Sequence, residues 1–315
     1  MRWVVRGVGV LLALVLLAAA ILHWVIVPRV DEWRPRLERL ASQAIAAPVQ
    51  IGAIEAQSNG LVPSVALRDV RVLDPDGRPA LQVPRVLAAF SVLSLGTLGL
   101  EQLVIDAPEL ELRRTRDGRL LAGGIDLSGD ATGDTRAADW FFSQDEIIVR
   151  DGRVRWVDEQ RAAPPVQLSA VLFVSRNGYG RHQLRLDATP EPAWGERFTL
   201  IGQFRQRVFS RHPGYWREWD GQAFASAPRI DVSRLRQYVD LTADWGVDVQ
   251  AGHGALRLWL EQQQGRPVAA TADLALGAVS VTLGPRLAPL AFSELTGRLA
   301  WRDPGDGMTL GTREL

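Results

Sequence analysis

A mainly β fold behind one N-terminal transmembrane helix and a short cap helix is what this sequence predicts, and three observations predict it. An apolar run opens the chain. An amphipathic stretch follows directly. From about residue 49, short alternating runs such as "SVAL", "ELELR", "RVRWV", "HQLRL" and "ALRLWL" are punctuated by seven Asp-Gly or Asn-Gly steps, from 59–60 to 306–307. Alternation of period two marks half-buried strands, and Asp-Gly and Asn-Gly favour tight turns. Together they predict an extended antiparallel sheet over 49–315.

The opening run is almost unbroken from Gly7 to Val27. About 20 residues at 1.5 Å rise span a bilayer core of roughly 30 Å. Arg2 and Arg6 flank one end, and His23 and Trp24 lie near the other, where amphipathic rings favour the interface. Ala18-Ala19-Ala20 resembles a signal-peptidase site, but the run continues through Ile21, Leu22 and Val25, beyond a signal peptide's apolar core. Residues 1–28 thus read as a retained anchor. Arg29, Arg34, Arg36 and Arg39 beyond it compete with Arg2, Arg6 and the amino terminus, so charge alone does not orient it.

The cap helix is predicted over 29–48. In "DEWRPRLERLASQAIAAP", Leu37, Leu40, Ala41 and Ala44 form the apolar stripe, and Pro48 ends it. A second helix is expected at "DVSRLRQYV", capped by Asp231, with Val232, Leu235 and Val239 on one side. "GGIDLSGDATGDTRA" (123–137) reads as a mobile loop. In "SVALRDVRV", Val65 and Leu67 are in phase while Val70 and Val72 are out of phase, which predicts a bulge near Asp69.

"IIVRDGRVRWVDE" (147–159) is expected to be a hairpin whose type I′ turn is Asp151-Gly152. That register pairs Val149 with Val154 and Ile147 with Trp156, and places all four on one face. Ile148, Arg150, Arg153 and Arg155 take the other.

Composition excludes much chemistry. All 36 basic residues are arginine, which removes lysine nucleophiles, Schiff bases and P-loops. There is no cysteine, hence no disulfide or thiolate site. Zero net charge argues against a nucleic-acid partner. The four histidines, at 23, 182, 212 and 253, form no His-x-x-x-His pair, so no metal site is read. "DPDG" at 74–77 starts like a calcium loop but lacks the later ligands. No catalytic residues and no cofactor are assigned. "RQRVFSRHPGYWREWDG" (205–221) mixes arginines with Tyr215, Trp216 and Trp219 and reads as a loop whose aromatics cover a sheet edge; lipid headgroups are the competing reading.

Three stretches carry a family resemblance: "VDEWRPRLERLASQAIAAPVQIGAIEA" directly after the apolar run, "VALRDVRVLDPDG", and "LGLEQLVIDAPELELRRTRDGRLL". With "WDGQAFASAPRIDVSRLRQYV" further on, they resemble the amino-terminal part of AsmA-like proteins, most closely the YhdP family. The resemblance implies an inner-membrane protein with its body in the periplasm. It also implies a curled sheet (an AsmA-like groove) along which phospholipid acyl chains move towards the outer membrane, whose components would be partners. Family members are several times longer, so the chain is expected to be the front part of a longer bridge. Ile147, Val149, Val154, Trp156, Leu110 and Leu112 become candidates for the groove wall. A closed sandwich wants the same alternation, so an anchored scaffold is the competing reading.

Overall fold

The computed structural model describes residues 30–313 apart from short stretches, the longest being 90–99, 127–135 and 238–247. The anchor segment, with Arg2, Arg6, His23 and Trp24, lies outside the described residues. No described helix is long and apolar enough to cross a membrane.

Helix α1 spans Val30–Ile45. Four strands follow: β1 (Val49–Gln50), β2 (Ala53–Asn59), β3 (Val62–Leu73) and β4 (Pro79–Ala89). Next come β5 (Gln102–Asp106), β6 (Glu109–Arg114), β7 (Leu120–Ala122), β8 (Ile125–Asp126) and helix α2 (Arg136–Ser143). The long strands are β9 (Glu146–Asp158), β10 (Ala163–Gly178), β11 (Arg181–Pro190), β12 (Phe198–Arg205) and β13 (Asp220–Asp231). The series ends with β14 (Asp248–Gln263), β15 (Arg266–Thr282), β16 (Leu290–Arg302) and β17 (Thr309–Arg313). All belong to one curled sheet.

From β9 to β17 the sheet is the expected antiparallel meander. One step is not. β9 pairs parallel with both β5 and β6, so the chain crosses over between them. A parallel pair cannot be joined by a tight turn. The crossover carries α2, which the sequence reading missed inside and beyond its expected loop; the cluster Trp140-Phe141-Phe142 was the available signal.

The Asp151-Gly152 hairpin does not exist. Glu146–Asp158 is one continuous strand, and Asp151, at φ 51°, sits in a bulge. A positive φ serves a bulge as readily as a type I′ turn. A Cβ on Gly152 would lie 3.2 Å from Val149 and 3.3 Å from Val171, so glycine suits a packed strand there too. Among the described residues, two-residue turns with two positive φ values are Tyr179-Gly180 (50°, 69°) and Gln264-Gly265 (50°, 70°).

The bulge belongs to a crease running across neighbouring strands. Asp69 in β3 has φ 50°, Ala107 between β5 and β6 has 49°, and Ala170 in β10 has 46°. Their positions align in the ladder: Val70 pairs with Val83, Asp106 with Arg150, Glu109 with Arg153, and Gly152 with Val171. Each irregularity shifts the side-chain phase by one, so apolar residues at odd spacing stay on one face. The break predicted at Asp69 is this feature: Val65, Leu67, Val70 and Val72 all join one core. Ile147 and Val149 share a face with Val154 and Trp156 for the same reason. The shared face was foreseen; the hairpin expected to produce it is absent.

That core joins Val49, Ile51, Ile54, Val83, Val86, Leu103 and Ile147 from the sheet with Leu37, Ala41 and Ile45 of α1 and Trp140 and Phe141 of α2. α1 is clamped to the break between β1 and β2. Glu38 Oε1 accepts the Ile51 amide at 2.8 Å, Arg34 Nε donates to the Ile51 carbonyl at 2.5 Å, and Ser42 Oγ accepts the Val49 amide at 2.9 Å. This clamp rotates the helix, so Leu40, expected in the stripe, is exposed while Ile45 packs inward.

The second expected helix is a 3-10 segment, Val232–Gln237. Asp231 Oδ1 accepts the Ser233 amide at 3.1 Å, as a cap should, and Val232 is buried against Leu276 and Val279. The Leu235 side chain and Val239 lie outside the described residues.

Candidate functional site

Cross-strand partners share a face, so the ladder shows what each face carries. One row of successive partners runs Ile54, Leu67, Val86, Ile105, Val149, Phe173, Leu186, Leu200, Ala225, Leu258, Ala272 and Leu299. At about 4.8 Å between strands, this row is roughly 50 Å long. A second row on the same face runs Val65, Ala88, Leu103, Ile147, Ser175, Leu184, Gly202, Ala223, Leu260, Ala270 and Trp301. Neither row contains a charged residue.

The opposite face is polar along its outer lines. Just outside the second row run Gln102, Glu146, Arg176, Gln183, Gln203, Gln222 and Glu261, and just outside the first row Thr199, Ser226, Arg257, Asp273 and Arg298. Ion pairs knit this face together: Arg153–Glu109 at 2.6 Å, Arg155–Glu111 and Arg176–Glu146 at 2.7 Å, and Arg298–Asp273 at 2.5 Å. As far as Trp259, the line between the two rows is apolar apart from Arg185: Ala66, Leu87, Val104, Ile148 and Val174 precede it, and Ile201, Phe224 and Trp259 follow it, the last lying under the Arg298 guanidinium, 6.0 Å from the Trp259 ring.

The apolar face is covered at its start and open further on. Under α1 and α2 its residues are buried; Ile147 is 0% exposed. Beyond β10 the same rows change character. Leu184, Leu186, Ala223, Leu258, Leu260 and Leu299 are half-buried and Leu200 is 39% exposed, and no described helix packs over their middle. Two devices border the open part. On one side Val232 caps Leu276 and Val279. On the other, His182 stacks on buried Trp219 with ring centroids 4.0 Å apart, and Phe142 of α2 meets both edge-on.

The loop before Trp219 is pinned to α2, with Asp139 accepting from the Gly214 amide at 2.8 Å and pairing with His212 at 3.0 Å. Trp219 thus covers the end of β11 at His182, a strand paired on both sides and not a sheet edge, while Trp216 is 38% exposed. A Cβ on Gly214 would lie 2.4 Å from the Ala138 backbone, which is why the close approach needs glycine. His182 is structural: Nδ1 is 2.8 Å from Asn177 Oδ1, Nε2 is 3.1 Å from Gln206 Oε1, and burial lowers its pKa.

The sequence-predicted candidates fall on both sides of the cover. Ile147 lies in the closed core and is no part of an open wall. Val149 is half-buried between Ile105 and Phe173, at the border. Leu110 with Val154, and Leu112 with Trp156, are paired partners, all half-buried on the apolar face past the crease. Leu186, Leu200, Leu258 and Leu299, which dominate the open stretch, were not singled out, although the alternation in "HQLRL" and "ALRLWL" pointed to Leu186 and Leu258. Among the described residues no group of acidic residues and histidines could hold a metal.

A family model described as YhdP protein matches residues 1–315. The chain belongs to the YhdP family. No curated protein and no solved structure matches it. In this YhdP-family chain the sheet itself is therefore the candidate site: one face apolar for roughly 50 Å, the other salt-bridged.

Proposed function

We propose that this YhdP-family chain carries phospholipid acyl chains along its apolar sheet face between the inner and outer membranes. Residues 1–28 anchor it in the inner membrane, with Arg2, Arg6, His23 and Trp24 at the two interfaces, and the sheet stands in the periplasm. Components of the outer membrane are its distal partners. No catalytic step or cofactor is part of this reading.

One observation carries the proposal: an uncharged row of cross-strand partners continues beyond the helix-covered core, half-buried and open. A closed core would leave such leucines fully buried. An acyl chain of about fifteen methylenes loses roughly 12 kcal/mol on entering water, at about 0.8 kcal/mol per CH₂. A continuous apolar face offsets that loss at every step, and equivalent residues in successive strands keep the path level. The salt-bridged face keeps the outside of the sheet solvated.

The test uses a photo-reactive side chain at Leu258 in the full chain, with Arg257, its neighbour on the opposite face, as control. Crosslinked phospholipid at 258 and none at 257 is expected. Equal labelling of both positions, or none at 258 in a folded sample, would refute the conduit and leave an anchored scaffold.

A further inference from the structure

We propose that the outward side of α1 seats on the anionic surface of the bilayer that residues 1–28 enter. The proposal rests on the anchor reading above. α1 has two different sides. Leu37, Ala41 and Ile45 pack inward, held by the Arg34, Glu38 and Ser42 clamps. The other side exposes Trp33 (47%) and Leu40 (46%). Seven residues are two helical turns, so these two point the same way, about 10.5 Å apart.

The charge on that side is distinctive. Arg36 and Arg39 are exposed there, and neither has an acidic partner among the described residues. Arg36 lies over the Trp33 ring at 5.6 Å, and Arg39 Nε donates only to the Pro35 carbonyl at 3.1 Å. Arg153, Arg155, Arg176 and Arg298 of the polar sheet face are, by contrast, paired with acids. An exposed Trp and Leu with unpaired arginines on one helix side match a headgroup layer, where the ring and the cations both find partners. Position also selects the bilayer over a protein partner. Trp33 follows Val27 by six residues, which places it within about 20 Å of the end of the apolar run even if fully extended.

The consequence is geometric. Trp33 and Leu40 reach the interface together only if α1 lies along the membrane plane. Its inner side grips the sheet, so the covered end of the apolar face is held against the leaflet and the open stretch begins above it.

Because the chain has no cysteine, single substitutions label one site each. The full chain in liposomes containing anionic phospholipid would carry a fluorophore at Gln43→Cys, exposed on the outer side of α1, or at Arg153→Cys on the polar sheet face. Leu14→Cys in the apolar run reports the anchor. Quenching by lipids brominated near the headgroup is expected at 43, quenching by lipids brominated in mid-chain at 14, and neither at 153. Replacing Arg36 and Arg39 by Gln should lower the ratio of seated to free label at 43 by roughly thirtyfold, a factor of about five per arginine.

Quenching at 43 no greater than at 153, with Leu14→Cys quenched, overturns this proposal and leaves the anchor intact. Absence of quenching at 14 overturns the anchor reading, and this proposal with it. A label at 43 shielded from aqueous quencher but not reached by lipid quencher means a protein surface covers α1, which also overturns it.

Discussion

Truncating Ile147 and Leu258 to alanine should have very different costs, although both lie on the same sheet face. Ile147 is 0% exposed, with Leu103 and Ser175 beside it in the ladder and the two helices over the core. Deleting its methyl groups loses transfer free energy and leaves a void that the helices cannot collapse. Such changes cost 2–5 kcal/mol, and full enclosure places this one at about 4. Leu258 is half-buried with no described element over it, so its loss forfeits only part of the 1.5–3 kcal/mol for a fully buried leucine, about 1 kcal/mol, with no cavity contribution. At about 2–4 °C per kcal/mol for a domain of this size, Ile147→Ala should lower the melting midpoint by about 8–16 °C and Leu258→Ala by about 2–4 °C. Thermal unfolding of the detergent-solubilised full chain, followed by far-UV circular dichroism, measures both. Equal shifts would mean that Leu258 is as enclosed as Ile147, and the division into a covered and an open stretch would be wrong.

Two further outcomes follow from buried polar groups. Asp158, whose side chain is fully buried, is held by Arg114 through a two-point contact (Nε–Oδ1 3.0 Å) and by the Arg161 amide at 3.2 Å. Arg114→Ala leaves that carboxylate unpaired and should cost about 3–5 kcal/mol, while the double change with Asp158→Ala should recover part of it; urea midpoints measure both. His182 has a pKa lowered by burial, so the unfolded chain binds its proton more readily. Its stabilisation is complete above the unfolded value of about 6.5 and is lost as pH falls through the lower folded value. The urea midpoint should therefore decline below pH 6.5, and that component should vanish in His182→Gln; an unchanged pH profile in the variant would assign the dependence elsewhere.

What the sequence determined by itself is what depends on local periodicity. The alternation in "ELELR" and "ALRLWL" sets strand and face because successive side chains must oppose one another. The phase slip between Leu67 and Val70 announced the bulge at Asp69, since only an irregular residue keeps both pairs on one face. The shared face of Ile147, Val149, Val154 and Trp156 was legible for the same reason. Tertiary structure decided what depends on partners far away in the chain. Asp151-Gly152 can close a hairpin or carry a bulge, because both accept a positive φ; Ala107 and Ala170, aligned with it in neighbouring strands, make it a bulge. Whether an apolar face is closed or open was equally hidden, because a leucine under a helix and a leucine awaiting a ligand obey the same alternation. Only the docking of α1 and α2 over Ile147, and of nothing described over Leu258, separates the core from the candidate lipid path.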